Sequence, residues 1–146
     1  MPDSKPPRWL KPMNKVMMAV QRLGISTGPA MVLTVPGRTS GQPRSTPITP
    51  FMLDGHLYSV AGYAGADWPR NASAAGEGTL TRGRRSRRVK IVELTAQEAG
   101  PVLRAFPANV PVGVSFAKRS GLVREGTPDE FEALAGRCYV FRFDRL

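Results

Sequence analysis

Thirteen residues, Val35 to Pro47, constrain this chain more than any other stretch. They read V-P-G-R-T-S-G-Q-P-R-S-T-P, with three prolines, two glycines, two arginines and four hydroxyl side chains. Proline removes a backbone donor and glycine frees φ, so such a run interrupts regular structure. It follows the apolar run Ala30-Met31-Val32-Leu33-Thr34, which patterns as a strand reaching Val35. The segment therefore reads as a loop at the end of a strand. Backbone amides exposed by glycine beside arginine guanidinium groups suit a phosphate or other anion. A plain basic turn uses the same residue types, so both readings stay open on the residues alone.

Similar punctuation recurs along the chain, where 15 glycines and 14 prolines among 146 residues favour turns and short elements. Arg44 to Leu53 reads as a second strand, placed at an edge or bulge because Pro47 and Pro50 each lack a ladder donor. Asp54-Gly55 is a two-residue hairpin signal, with His56 to Ala61 as the returning strand. Glu77 to Arg82 and Arg87 to Leu94 form a second hairpin around Gly83, and Arg137 to Phe143 alternates with Tyr139, Phe141 and Phe143 on one face. Met13, Val16, Met17, Val20 and Leu23 recur at helical spacing, with Gly24 as a stop. Thr95 to Glu98 has capping-box spacing and starts a helix to about Phe106; Thr127 to Glu130 repeats it, closed by Gly136. The sum is an α+β protein, a small β-barrel of about six mostly antiparallel strands with peripheral short helices. Residues 1–10 read as a flexible proline-rich arm, and 11–146 as one domain.

Several chemistries lack their residues. One cysteine, Cys138, and one histidine, His56, sit in separate strand patterns, which argues against a disulfide scaffold, a zinc centre and a Cys–His nucleophile; no metal site is expected. There is no G-x-S-x-G, H-E-x-x-H, Walker lysine or dinucleotide G-x-G-x-x-G. Any enzymatic chemistry therefore falls to a cofactor. Cysteine usage and the absence of a secretory pattern point to the cytoplasm. The formal charge of +10 calls for an anionic partner. Arg82, Arg84, Arg85, Arg87, Arg88 and Lys90 form a second basic cluster, without the interleaved aromatics of a single-strand nucleic-acid platform. Nucleic acid is not the expected partner. Lys11, Lys15 and Arg22 beside the methionines of the first helix raise a weak membrane-surface association. The small-residue stretch Gly62-Tyr63-Ala64-Gly65-Ala66 before Trp68 permits close approach of a flat ring, although Trp68 could equally fill the core.

Thr34 to Pro47 matches T-x-x-G-R-x-S-G-x-P-R-x-x-P, followed by Asp54-Gly55 and then W-x-x-N as Trp68 to Asn71. In this combination the chain resembles the deazaflavin-dependent nitroreductase family of split β-barrel (FMN-binding-like) proteins. The resemblance spans residues 14–95 and loosens beyond. It implies a reductase that transfers a hydride from a reduced 8-hydroxy-5-deazaflavin (coenzyme F-420), whose tail carries a phosphate and several glutamates. It implies that Arg38, Ser40, Gly41 and Arg44, with Thr39 and Ser45 beside them, hold the phosphate. Thr46 and Pro47 would lie along the deazaflavin, Gly62 and Tyr63 would approach its ring, and Trp68 with Asn71 would shape the groove. Tyr63 is the candidate proton donor; no other catalytic residue is expected. Thr39 and Gln42 stand where the family often has lysine, and Pro69-Arg70 where it often has Tyr-His. FMN, which also presents a phosphate, is the alternative cofactor, and a non-catalytic deazaflavin carrier is the alternative role. The expected acceptor is a hydrophobic electrophile (quinone, unsaturated lactone or coumarin, or nitroaromatic), walled by the first helix and by Phe106 to Ala117. Split barrels often pair, so a homodimer is expected.

Overall fold

The computed structural model describes residues 30–61 and 66–146. The expected arm, the helix over 13–23, and Gly62 and Tyr63 lie outside the described residues. The elements are β1 (Met31–Pro36), β2 (Pro43–Ile48), β3 (Phe51–Leu53), β4 (His56–Ala61), α1 (Asp67–Ala75), β5 (Glu77–Arg82), β6 (Arg85–Glu93), α2 (Ala96–Asn109), α3 (Pro111–Arg119), α4 (Pro128–Glu132) and β7 (Tyr139–Arg145). The strands form a single sheet of seven in the order β2-β1-β5-β6-β7-β4-β3, and each neighbouring pair is antiparallel.

That order forces the sheet to curl. Its two edge strands, β2 and β3, are consecutive in the chain and joined only through Thr49 and Pro50. Laid flat, seven strands at about 4.8 Å spacing would put the edges roughly 29 Å apart. Three Cα–Cα steps of about 3.8 Å, from Ile48 to Phe51, reach at most ~11 Å. The sheet must therefore roll until its edges approach, which is the split β-barrel expected from the sequence. The continuous strand expected over Arg44 to Leu53 is in fact two, so the barrel has seven strands instead of about six. The break falls at Thr49-Pro50, where the chain leaves β1 and begins to pair with β4. Pro50, without an N–H, is suited to that passage.

Strand alternation sorts the apolar residues into two cores. Leu33, Val35, Ile48, Leu80, Val89, Ile91, Phe141 and Phe143 fill the barrel interior, and Ala72, Trp68 and Ala75 of α1 pack on them. Phe51 and Val140, joined by Tyr58 and Val60, face outward against α2, α3 and α4, which supply Leu103, Phe106, Ala117 and Phe131 among others. The Phe106 ring meets those of Phe51 and Phe131 at centroid distances of 6.0 and 5.2 Å. Tyr139, Phe141 and Phe143 do share a face, but only the two phenylalanines are buried; Tyr139 is exposed and stacks on Phe141.

The turns follow their residues. Asp54 (φ 51°) and Gly55 (φ 81°) both take positive φ, as the two-residue hairpin requires. Thr95 with Glu98 and Thr127 with Glu130 form complete capping boxes. The second of these helices stops at Glu132, and turns carry the chain on to Gly136.

Candidate active site

Both strands β1 and β2 end at one rim of the barrel, and the loop between them is closed by its own backbone. Gly37 N–H donates to the Gln42 carbonyl (2.8 Å) and Gly41 N–H to the Gly37 carbonyl (2.9 Å), with Gly41 at φ 73°. The Ser40 hydroxyl accepts from Gln42 N–H at 3.2 Å. A Cβ placed on Gly37 would stand 3.1 Å from Ser40 Oγ and 3.4 Å from Arg44 Nε. A hydroxyl and a guanidinium thus flank a narrow hollow at Gly37, in which even a Cβ would be tight. Thr39 is exposed at the loop tip.

Helix α1 fixes the other side. Asn71 is 6 % exposed, and its Oδ1 accepts from both Arg38 N–H (3.1 Å) and Arg38 Nη1 (2.8 Å). One buried carboxamide oxygen therefore ties the loop backbone and the arginine side chain to the helix. Arg38 Nη2 also reaches Asp67 Oδ1 at 3.5 Å, a long and largely exposed pair of little energetic weight. Asn71 is committed to Arg38, so its role is to position the loop, whereas Trp68 of the same helix turns to Phe141 at 5.7 Å. Ser45 leaves the hollow: its hydroxyl meets Thr34 Oγ1 at 2.7 Å on the outer face of β1 and β2. Arg70 is exposed on α1.

Along the seam where the barrel edges approach lies a cavity of about 300 Å³. Pro47, Ser59 and Trp68 line it from the barrel, and Phe106, Val110 and Phe116 from the helices. Pro47 and Trp68 thus line one cavity with the Phe106–Ala117 segment, which is the end of α2 together with α3; the first helix, expected as its other wall, lies outside the described residues. Sequence reasoning missed Ser59. It is 2 % exposed, and its hydroxyl has no hydrogen-bond partner among the described residues. The signal was present, since Leu57, Ser59 and Ala61 alternate on the inward face and only Ser59 is polar. Cys138 also lines this cavity, and burial pushes its thiol up, keeping it protonated. His56 borders a different cavity, at the far mouth of the barrel, so the two do not form a nucleophilic pair.

A family model described as F420H(2)-dependent quinone reductase matches residues 12–121. Among proteins with curated functions, none matches the sequence. Three solved structures share the fold. One, described as a domain-swapped dimer, has 16 % identity and a TM-score of 0.59, over 93 % of this chain and 97 % of its own. A structure described as an F420-H2 dependent reductase has 19 % identity and a TM-score of 0.56, covering 80 % of this chain and 95 % of that one. A protein of unknown function from Agrobacterium tumefaciens has 13 % identity and a TM-score of 0.55, over 88 % of this chain and 53 % of the other.

Proposed function

Because the chain belongs to the F420H(2)-dependent quinone reductase family, we propose that it reduces a flat, hydrophobic acceptor held in the seam cavity. The protein is an oxidoreductase that uses the deazaflavin coenzyme F-420. When bound and reduced, the coenzyme supplies a hydride. The chain's own residues bind, orient and exclude water.

The coenzyme's phosphate is assigned to the Gly37–Arg44 loop, where Ser40 and Arg44 flank Gly37 and Arg38 is held in place by Asn71. Thr39 and Gly41 complete the loop. Thr46 and Pro47 lead from there toward the cavity, and Trp68 closes it beside them. Gly62 and Tyr63 are assigned to the ring edge on the sequence resemblance alone, with Tyr63 as proton donor.

The observation that carries the acceptor assignment is the cavity itself. Its walls are apolar and aromatic, and the Ser59 hydroxyl, without a partner among the described residues, offers a donor to a carbonyl or nitro oxygen. A quinone fits this chemistry and the family's name best; unsaturated lactones, coumarins and nitroaromatics share the flat, electrophilic character. Nothing in the loop favours FMN or a carrier role over this reading. A cytoplasmic homodimer is proposed with it, supported by the dimer described for one structural relative. Among the described residues, no helix is long and apolar enough to cross a membrane.

The test has two arms. Fluorescence titration should give saturable coenzyme binding that outcompetes FMN, and reduced coenzyme should turn over with a menaquinone analogue. Ser59→Ala should raise KM for the quinone about threefold to tenfold, the loss of one modest hydrogen bond, with coenzyme affinity unchanged. Coenzyme binding without turnover on any acceptor class would leave a carrier. An unchanged KM would remove Ser59 from the acceptor site.

A further inference from the structure

The basic cluster on the β5–β6 hairpin has no part in the site described above. β1 runs from the hairpin end to the cradle end, with Val32 opposite Thr81 and Thr34 opposite Thr79. Five residue steps from Met31 to Pro36 separate the two ends by about 17 Å of strand. The two groups of arginines therefore cannot serve one compact anion.

Alternation places the cluster unexpectedly. A solvated hairpin tip would turn its charges away from the protein. Instead Arg85 and Arg87 fall on the same face as Val89 and Ile91, and Arg82 on that of Leu80, so these arginines continue the interior-facing rows. They rim an open cavity of about 1450 Å³ at the far mouth of the barrel, joined by Arg84 and Arg145. Its accessible apolar floor is half-buried Met31 and Leu57, over the core residues Leu80, Val89 and Phe143, with the exposed Met52 at its lip.

Asp144 lies in the lining, but its two oxygens accept from Arg142 Nε (2.9 Å) and Nη2 (3.0 Å). Among the described residues, no acid pairs with Arg84, Arg85, Arg87 or Arg145. Guanidinium groups suit carboxylate and phosphate oxygens. An apolar floor beneath them suits a hydrocarbon chain.

We propose that the far mouth of the barrel binds an anionic amphiphile, with its alkyl chain against Met31, Met52 and Leu57 and its phosphate or carboxylate head among Arg84, Arg85 and Arg87. The cavity is open, so a head group bound at its rim would stay near solvent. Nucleic acid would use the rim but not the floor.

The experiment is calorimetric titration of the full chain with dodecyl phosphate below its micellar concentration, beside butyl phosphate and inorganic phosphate. The expected result is one saturable site, about tenfold or more tighter for dodecyl than for butyl phosphate, with no measurable binding of inorganic phosphate. Arg85→Glu combined with Arg87→Glu should weaken it at least tenfold while leaving coenzyme F-420 affinity within twofold. Met52→Glu at the exposed lip is a second variant that spares the fold and should also weaken it. Vesicles of phosphatidylglycerol distinguish the source. Binding of both vesicles and dodecyl phosphate assigns a bilayer lipid, and binding of dodecyl phosphate alone assigns a free amphiphile. Each supports the site. Binding of vesicles alone, equal affinity across the chain-length series, or displacement of dodecyl phosphate by a short oligonucleotide would overturn it.

Discussion

Among the described residues, Asn71 hydrogen-bonds to the cradle through Arg38, and that makes a sharp prediction. Asn71→Leu keeps the side chain's approximate volume and removes the oxygen that accepts from Arg38 N–H and Nη1. The fold loses a backbone hydrogen bond of about 0.5–1.5 kcal/mol and a charge-assisted one of about 1.5–3 kcal/mol. Arg38 is 35 % exposed, so water recovers part of the latter, and about 2 kcal/mol of destabilisation is expected. For coenzyme binding, Arg38→Ala removes one charge-assisted contact to the phosphate, about 1.5–3 kcal/mol, or roughly 10- to 150-fold in Kd. Asn71→Leu leaves the charge but not its aim. Re-ordering a free arginine costs about 1–2 kcal/mol, or roughly 5- to 30-fold. The double variant should bind no more weakly than Arg38→Ala alone, because Asn71 has nothing left to position. Fluorescence titration of the four proteins completes the cycle, with thermal melts confirming that each is folded at the assay temperature. Additive losses would mean that Asn71 contacts the coenzyme itself. A loss below about twofold for Arg38→Ala would remove the cradle from the site.

Other consequences follow from single positions. Gly78→Ala would put a Cβ 2.8 Å from Val35 Cγ1 and 2.9 Å from the Thr34 carbonyl oxygen; a backbone atom cannot yield cheaply, so thermal unfolding should show about 1–3 kcal/mol of destabilisation. A wild-type melting temperature would refute the close approach of β1 and β5. Gly113→Ala would drive a Cβ into Phe106 Cζ, displacing a ring that lines the seam cavity. KM for the acceptor should rise at least about threefold with coenzyme affinity unchanged, and an unaltered KM would place the acceptor elsewhere. Glu130 accepts from the backbone N–H groups of Arg124 (2.7 Å), Glu125 (2.9 Å), Gly126 (2.7 Å) and Thr127 (3.2 Å), and these hold its carboxyl down at about 2. A folded value below the unfolded one stabilises the protein above about pH 4.5 and is lost as pH falls toward 2. Acid unfolding followed by circular dichroism should contain this component, and Glu130→Gln should flatten it; an identical acid limb in the variant would contradict the amide nest.

Local chemistry determined what the sequence revealed. Thr95 and Thr127 announced their helices because each capping box satisfies its own orphan amides within four residues. α1 and α3 carry no such signal: their N-caps, Ala66 and Val110, make no side-chain cap bond, so no capping box marks where they start. Asp54-Gly55 fixed a hairpin for the same local reason, whereas the break at Thr49-Pro50 expresses the barrel's closure. The Gly37–Arg44 loop was legible as a closed turn after a strand, since its glycines and prolines act locally, and the anion cradle proposed there rests on the same residue types. The assignment of Asn71 to Arg38, 33 residues away, was not. Nor was the place of Ser59 in the acceptor cavity, or the turning of the hairpin arginines onto an apolar mouth. Each depends on which strand lies beside which and on the direction in which the sheet rolls. The residues determined which contacts were chemically available; the two-residue link between the sheet's edges, by forcing closure, decided which of them meet.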